Sequence, residues 1–289
     1  DLRKGRKALA SRRQKTDVHD ARGLAELGRL ARSMGSQVFV KPIEHQNIRT
    51  LINVRRTMLK NRARTDALIQ SIFRLYGGNV KLLNGRGALA AEVNDQVRKM
   101  RQHELEIGVN LQPLVEIAEA LREQISILDR QMRDIASNNP TCRNFQTIPG
   151  VGAVIALSFY SAIGDPYRFE RSRDVGAYLG LTPTLYQSGA TSRRGRISRH
   201  GNKLTRMHLI TAATVLLCRI EIESRLRTWG LELAQRVGFL KARVAVARKL
   251  AVIMLGMWKS GSPFRPDGTS SLFLQQEEAG LDPVLISGT

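Results

Sequence analysis

The chain has 289 residues, 42% of them hydrophobic, with 46 Lys and Arg against 25 Asp and Glu for a formal net charge of +21. That length and hydrophobicity suffice for two domains with cores and exclude a chain disordered throughout, while the cationic excess costs self-repulsion and asks for a polyanionic partner, nucleic acid first. No run reaches the roughly 18 apolar residues of a membrane span and no signal-peptide pattern opens the sequence; Cys142 and Cys218 stand apart, which fits a reducing cytosol and excludes a Cys-based zinc cluster, and the five His lack metal-ligand spacing.

Residues 1–15 hold seven basic residues and one acid and read as a phosphate-contacting or flexible lead-in. In "TDVHDARGLAELGRLAR", Thr16 or Asp17 can cap a helix whose apolar positions Ala21, Leu24, Ala25, Leu27 and Ala31 recur at helical spacing until Gly35. A second helix is expected from about Glu44 to Tyr76, with Ile48, Leu51, Leu59, Ile69, Ile72 and Phe73 on its apolar side. Arg49, Arg55, Arg56, Lys60, Arg62, Arg64 and Arg74 cover its other faces, and "YGGN" stops it.

Residues 80–103 give no clear period. After them Ile107, Leu111, Leu114, Ala118, Leu121, Ile125, Leu128, Met132 and Ile135 alternate spacings of four and three. This is a heptad a/d seam, and it predicts a coiled coil, against the earlier basic helix or between chains; a long helix of an ordinary bundle is the alternative. "NNPT" ends it. From Phe145 the texture changes to "FQTIPGVGAVIALSFYSAIGDPYRF". A Pro-Gly-hydrophobic-Gly turn opening an apolar helix resembles a helix-hairpin-helix element, in which backbone N–H groups around Gly150 and Gly152 would meet a phosphate; a tight structural turn explains it equally. Two apolar helices, Lys203–Arg219 and Leu240–Trp258, read as core. The tail from Pro263 has no periodicity.

Two places could carry chemistry. Asp17 and Asp20 are three apart at a helix start, so both carboxylates share a face and could reach one Mg²⁺, as phosphoryl transfer requires; acids in a first turn also simply complement the helix dipole. "YQSGATSRRGRISRHGN" begins a stretch headed by Ser188 that, to Arg206, contains Arg193, Arg194, Arg196, Arg199, Lys203 and Arg206 with no carboxylate. A serine before glycine is ordinarily a turn residue. A serine attacking a phosphodiester, however, needs cations for the charge that develops, and this stretch supplies them; plain backbone binding would use the same arginines.

"KTDVHDARGLAE", "IPGVGAVIALSFYSAIGDPYRFERSRDVGAYLGLTP", "YQSGATSRRGRISRHGN" and "MWKSGSPF" occur in that order and together cover most of residues 15–264. They resemble the DEDD-type insertion-sequence transposases described as bridge-RNA-guided serine recombinases. The resemblance implies a mainly α chain with the C-terminal part of a RuvC-like (RNase H-fold) α/β domain over residues 1–40. It further implies a basic helix and coiled coil over 41–140, a helical C-terminal transposase domain over 141–264 with the helix-hairpin-helix-like element, and a tail over 265–289.

It makes Asp17 and Asp20 metal ligands for Mg²⁺ and Ser188 the nucleophile, forming a phosphoserine link and a free 3′-hydroxyl. The expected partners are DNA, a structured guide RNA and further copies of the chain as a dimer or tetramer, without a membrane, in the bacterial cytoplasm near the nucleoid. Arg193, Arg194, Arg196, Arg199, Lys203, Gly150 and Gly152 would hold nucleic acid. Arg55, Arg56, Lys60 and Arg62 on the basic helix suit the shape and phosphates of RNA. The family's first Asp and its Glu lie upstream on strands, and this chain starts too late to contain them, so a missing N-terminal segment is expected, the alternative being a decayed element. The rival readings are a non-catalytic architectural nucleic-acid-binding protein and a Holliday-junction nuclease that uses the acids alone.

Overall fold

The computed structural model describes residues 16–33, 39–83, 85, 87–101, 108–188 and 191–267. Residues up to Pro42 form one compact unit and those from Ile43 onward another. In the first unit, α1 spans Asp17–Ser33. Thr16 starts it: its hydroxyl accepts the His19 N–H at 3.3 Å and its carbonyl accepts the Asp20 N–H at 2.9 Å. Residues 1–15, part of the expected RuvC-like remnant, lie outside the described residues.

The second unit begins with a long arm. Helix α2 (Ile43–Leu75) runs antiparallel to α4 (Gly108–Asn138), with α3 (Ala88–Arg101) against their far end. Two charged pairs set the direction: Arg55 of α2 is bonded to Asp129 of α4, and Arg122 donates to Asp66 at 2.8 Å, so the residue numbers run in opposite senses. The heptad seam is therefore satisfied within one chain. Leu111, Ala118, Ile125 and Met132 are buried, whereas Leu114, Leu121, Leu128 and Ile135 are half-buried, because Val115, Arg122 and Ala136 share the contact and turn α4 partway toward its neighbours. Ile107, the first residue of the pattern, lies outside the described residues.

Helix α3 fills the stretch that gave no clear period. It lacks a local capping signal because its cap comes from elsewhere: the Glu119 carboxylate of α4 accepts the N–H groups of Gly87, Leu89 and Ala90 at 3.2–3.3 Å. Ile69, Phe73, Leu89, Val93, Val97, Leu111 and Val115 form the core at this end.

The body follows. Helices α5 (Pro140–Gln146) and α6 (Ala153–Ile163) are joined by a tight turn; then come α7 (Asp174–Tyr178), strands β1 (Pro183–Ser188) and β2 (Thr191–Ile197), α8 (Lys203–Cys218), α9 (Arg225–Val237) and α10 (Phe239–Ser260). Helix α6 is buried at every residue from Ala156 to Ile163, which is what an all-round apolar helix requires. The apolar helices α8 and α10 pack around it, and Ile48 and Ile52 of α2 enter the same core. The Ser158 and Thr205 hydroxyls lie 3.1 Å apart, and His45, Tyr160 and Trp258 form one aromatic cluster with ring centroids 4.3, 4.7 and 6.2 Å apart.

Two elements depart from the reading of the sequence. The cationic stretch 186–202, read as a turn-rich loop, falls largely in an antiparallel hairpin of residues 183–188 and 191–197, the sole sheet among the described residues, because Leu185, Tyr186, Thr191 and Ile197 favour extended backbone. Helix α9 was not foreseen; Ser224 caps it by accepting the Arg227 N–H at 3.3 Å, and Leu226, Gly230 and Leu233 are its buried face, a stripe too thin to stand out beside its charged residues.

Candidate functional site

The hairpin places Ser188 as the last residue of β1, paired with Thr191 across a two-residue tip; Tyr186 pairs with Arg193 and Leu185 with Arg194. Near the base the register shifts between Pro183 and Leu185, and the Thr184 hydroxyl donates to the Arg196 carbonyl at 3.0 Å. Below this the chain is tied twice more to the segment following α7: Ser198 N–H to Thr182 O at 2.8 Å and Arg199 N–H to Gly180 O at 3.3 Å. The ribbon stands on a fixed base.

That base is built from backbone in close approach. Gly180 (φ +69°) and Gly201 (φ +77°) face each other's neighbours, and a Cβ on Gly180 would lie 2.6 Å from the His200 nitrogen. Arg206 completes the lock. It is buried, and one guanidinium nitrogen donates to both Leu179 O and His200 O at 2.9 Å, with burial and then Arg199 pulling its pKa below the usual arginine value. Its charge holds the loop and does not face a ligand. Arg196, Arg199 and Lys203 are exposed, and Arg199 has φ +56°, a left-handed conformation uncommon for a residue with a side chain. Asn202 caps α8 by accepting the N–H groups of Leu204 and Thr205 at 3.0 and 3.2 Å. The side chains of Ser188, Arg193 and Arg194 lie outside the described residues.

At the turn between α5 and α6, Gly150 (φ +89°) lies against α8, where a Cβ would be 3.0 Å from Ala212 O. Gly152 is the N-cap of α6 in extended backbone, with no side-chain cap and no atom within 4 Å of a Cβ position. The segment "MWKSGSPF" is a clamp on this region. Asn144 donates to Gly261 O at 2.8 Å, Phe264 N–H to the Thr147 hydroxyl at 2.8 Å, and Lys259 to Phe169 O at 2.6 Å.

The arm divides the cations of α2. Arg55 is paired to Asp129, and Arg62 lies 3.8 Å from Asp66, so their charge is met inside the arm. Arg56 and Lys60 have no such acid among the described residues. His208 of α8 lies next to the first pair: burial and the cations Arg55 and Arg56 push its pKa down to about 4. No local signal marks this histidine, because its environment is assembled from segments about 150 residues apart.

Asp17 and Asp20 occupy the first turn of α1, Asp17 exposed and Asp20 half-buried. Among the described residues no group of three or more His, Cys, Asp or Glu is arranged to hold a metal ion. None of the described helices is long and apolar enough to cross a membrane.

The helical body carries, on a locked base, the hairpin in whose sequence Ser188 and the run of arginines fall. Comparison with known proteins gives the family. The profile of the Transposase IS116/IS110/IS902 family matches residues 142–228, from α5 through the hairpin into α9. The transposase for insertion sequence element IS1111A of Coxiella burnetii is 30% identical over 264 residues, covering 87% of this chain and 68% of that protein. A probable family 20 transposase of Pseudomonas aeruginosa is 28% identical over 87% of this chain and 74% of its own length, and the transposase for IS1328 of Yersinia enterocolitica is 33% identical over 50% of this chain and 43% of its own. The chain belongs to the IS110/IS116/IS902 family of insertion-sequence transposases.

Proposed function

We infer that this transposase cuts and rejoins DNA through Ser188, under the direction of a structured guide RNA. The observation that carries this reading is the position of Ser188 at the tip end of a ribbon whose base is locked, beside a run of cations without a carboxylate. A nucleophile so held meets its target with little loss of orientation, and the arginines neutralise the charge that develops on phosphorus. In the cutting step the Ser188 hydroxyl oxygen bonds to phosphorus, the bond from phosphorus to the 3′ oxygen breaks, and the hydroxyl proton ends on that oxygen. The reverse step, with a different 3′-hydroxyl, rejoins the strand. One phosphodiester is exchanged for another, so no outside energy source is needed.

Exposed Arg196, Arg199 and Lys203, together with Arg193 and Arg194, would bind the DNA backbone. The open N-terminus of α6 at Gly152 would receive a further phosphate, completing a helix-hairpin-helix-like element. Asp17 and Asp20 are hard oxygen donors on one helical face and would hold Mg²⁺ as part of a RuvC-like acidic set, where such an ion supplies Lewis-acid stabilisation of phosphate oxygens. Two carboxylates are a partial donor set, and no step is assigned to them. Further copies of the chain would supply the second strand's nucleophile.

The test is a denaturing-gel search for a covalent protein–DNA adduct, using element-end duplex, co-purified RNA and Mg²⁺, with the wild-type chain beside Ser188→Ala. An adduct lost in Ser188→Ala supports the reading. Salt-sensitive DNA binding without an adduct in either protein overturns it in favour of an architectural DNA-binding role. Omitting the RNA tests guidance: target choice that survives its removal sinks that part.

A further inference from the structure

Helix α2 is the chain's longest element, and its cations are sorted by face. At about 100° per residue, Arg49, Arg56, Lys60, Arg64 and Arg74 fall within a stripe about 80° wide. Asn53, Ala67 and Ser71 lie on the same stripe, and its two acids, Glu44 and Asp66, lie off it. All five cations are exposed except half-buried Arg56. None has an ion pair or hydrogen bond among the described residues, whereas Arg55 and Arg62, on the inner face, do. The other long helix of the arm has the opposite charge: α4 carries Glu116, Glu119, Glu123, Asp129 and Asp134 against Arg122, Arg130 and Arg133. With Asp129 paired to Arg55 and Glu119 capping α3, the outward charges of α4, Glu116, Glu123 and Asp134 against Arg130 and Arg133, nearly balance, so the concentrated positive charge of the arm lies on α2.

The stripe also has a direction. Its beginning is fixed to the body, where Ile48 and Ile52 enter the core with α6 and His45 stacks on Tyr160. From Arg49 to Arg74 it extends about 37 Å at 1.5 Å per residue. We propose that this stripe is a track for the sugar–phosphate backbone of duplex DNA, running outward along α2 from the end at which the helix joins the body. The length corresponds to about 11 base pairs at 3.4 Å each. A straight helix side bearing guanidinium and ammonium groups, and no groove-entering element, makes phosphate contacts that fix position without reading bases. The resemblance had assigned this helix to RNA; continuity with the body that carries the transposase profile favours DNA. The inference rests on the transposase reading but not on Ser188 being the nucleophile.

The experiment measures binding of the full 289-residue chain to random-sequence DNA duplexes by fluorescence anisotropy over a salt series. It compares wild type with Arg49→Gln/Lys60→Gln/Arg64→Gln, with Glu116→Gln/Glu123→Gln on α4, and with circular dichroism to confirm folding. Each lost phosphate contact removes about 0.9 from the slope of log affinity against log salt, so the triple variant should lose about 2.7 and bind at least about tenfold more weakly. The α4 variant should keep the wild-type slope. Wild type should gain affinity as the duplex lengthens by about 11 base pairs, and the triple variant should not. An unchanged slope in the triple variant overturns the proposal, as does a loss confined to a structured RNA hairpin titrated in parallel. Because the salt slope requires no cleavage, a missing Ser188 adduct leaves this result readable, and the two readings fail separately.

Discussion

Gly201 packs its α-carbon against the carbonyl of Tyr178: a Cβ there would lie 3.2 Å from the carbonyl carbon and overlap the oxygen, with φ at +77°. This contact, with its mirror at Gly180, closes the base of the hairpin that carries Ser188. The hairpin is therefore held from below by backbone.

Gly201→Ala should destabilise the chain by at least about 2 kcal/mol, through left-handed backbone strain and the overlap with Tyr178. Urea denaturation measures the cost, and limited proteolysis should show new cleavage between Pro183 and Ile197. Gly152→Ala is the contrast. Its backbone is extended and the space before it is open, so its denaturation midpoint should match wild type.

The arm depends on one buried pair. Arg122 gives its three donor groups to Asp66 Oδ1 at 2.8 Å, Ala118 O at 3.0 Å and Leu83 O at 3.2 Å. Asp66→Ala strands a buried guanidinium and should cost about 3–5 kcal/mol. Replacing both, as Asp66→Leu with Arg122→Met, should recover most of that loss, since an apolar pair needs no desolvation. A double-mutant cycle by urea denaturation decides; equal damage from the single and double variants would mean that the two carbonyl contacts matter more than the ion pair.

His208 makes stability depend on pH. Its folded pKa, about 4, is below the ordinary value of 6.5, so the unfolded chain binds more protons between these values. Its contribution is complete above about pH 6.5 and is lost as pH falls toward 4. The full shift corresponds to about 3 kcal/mol, reduced by the ring's partial exposure. His208→Gln should flatten the fall in melting temperature across this window relative to wild type. Arg55 and Arg56 are the charges that face the ring, so Arg56→Gln should raise the folded pKa toward 6.5 and make the fall smaller, with its lower end at higher pH, without abolishing it as His208→Gln does. Parallel curves for wild type and His208→Gln would rule the histidine out as the cause.

Local rules gave the long helices because their signals repeat: the four-and-three spacing of Leu111 to Ile135, the apolar runs of α8 and α10, and the stops at "YGGN" and "NNPT" each act within a few residues. Ser188 was legible as a candidate for the same reason, since charge and glycine cluster around it in the chain. The hairpin was not, because Arg193, Arg194 and Arg196 interrupt a short β-prone pattern and its base is closed by Gly180 and Gly201, which lie outside it.

The sequence by itself determined composition, the long helical periods and the cationic excess, all properties that sum over neighbouring residues. Tertiary structure decided what those charges do. Arg206, Arg55 and Arg62 are spent on the fold while Lys60, Arg196 and Arg199 remain outward, and α4 finds its seam partner in α2 of the same chain. The physical reason is that an arginine's role is set by whether an acid or carbonyl meets it, and Asp129 for Arg55 and Leu179 O for Arg206 come from segments tens of residues away.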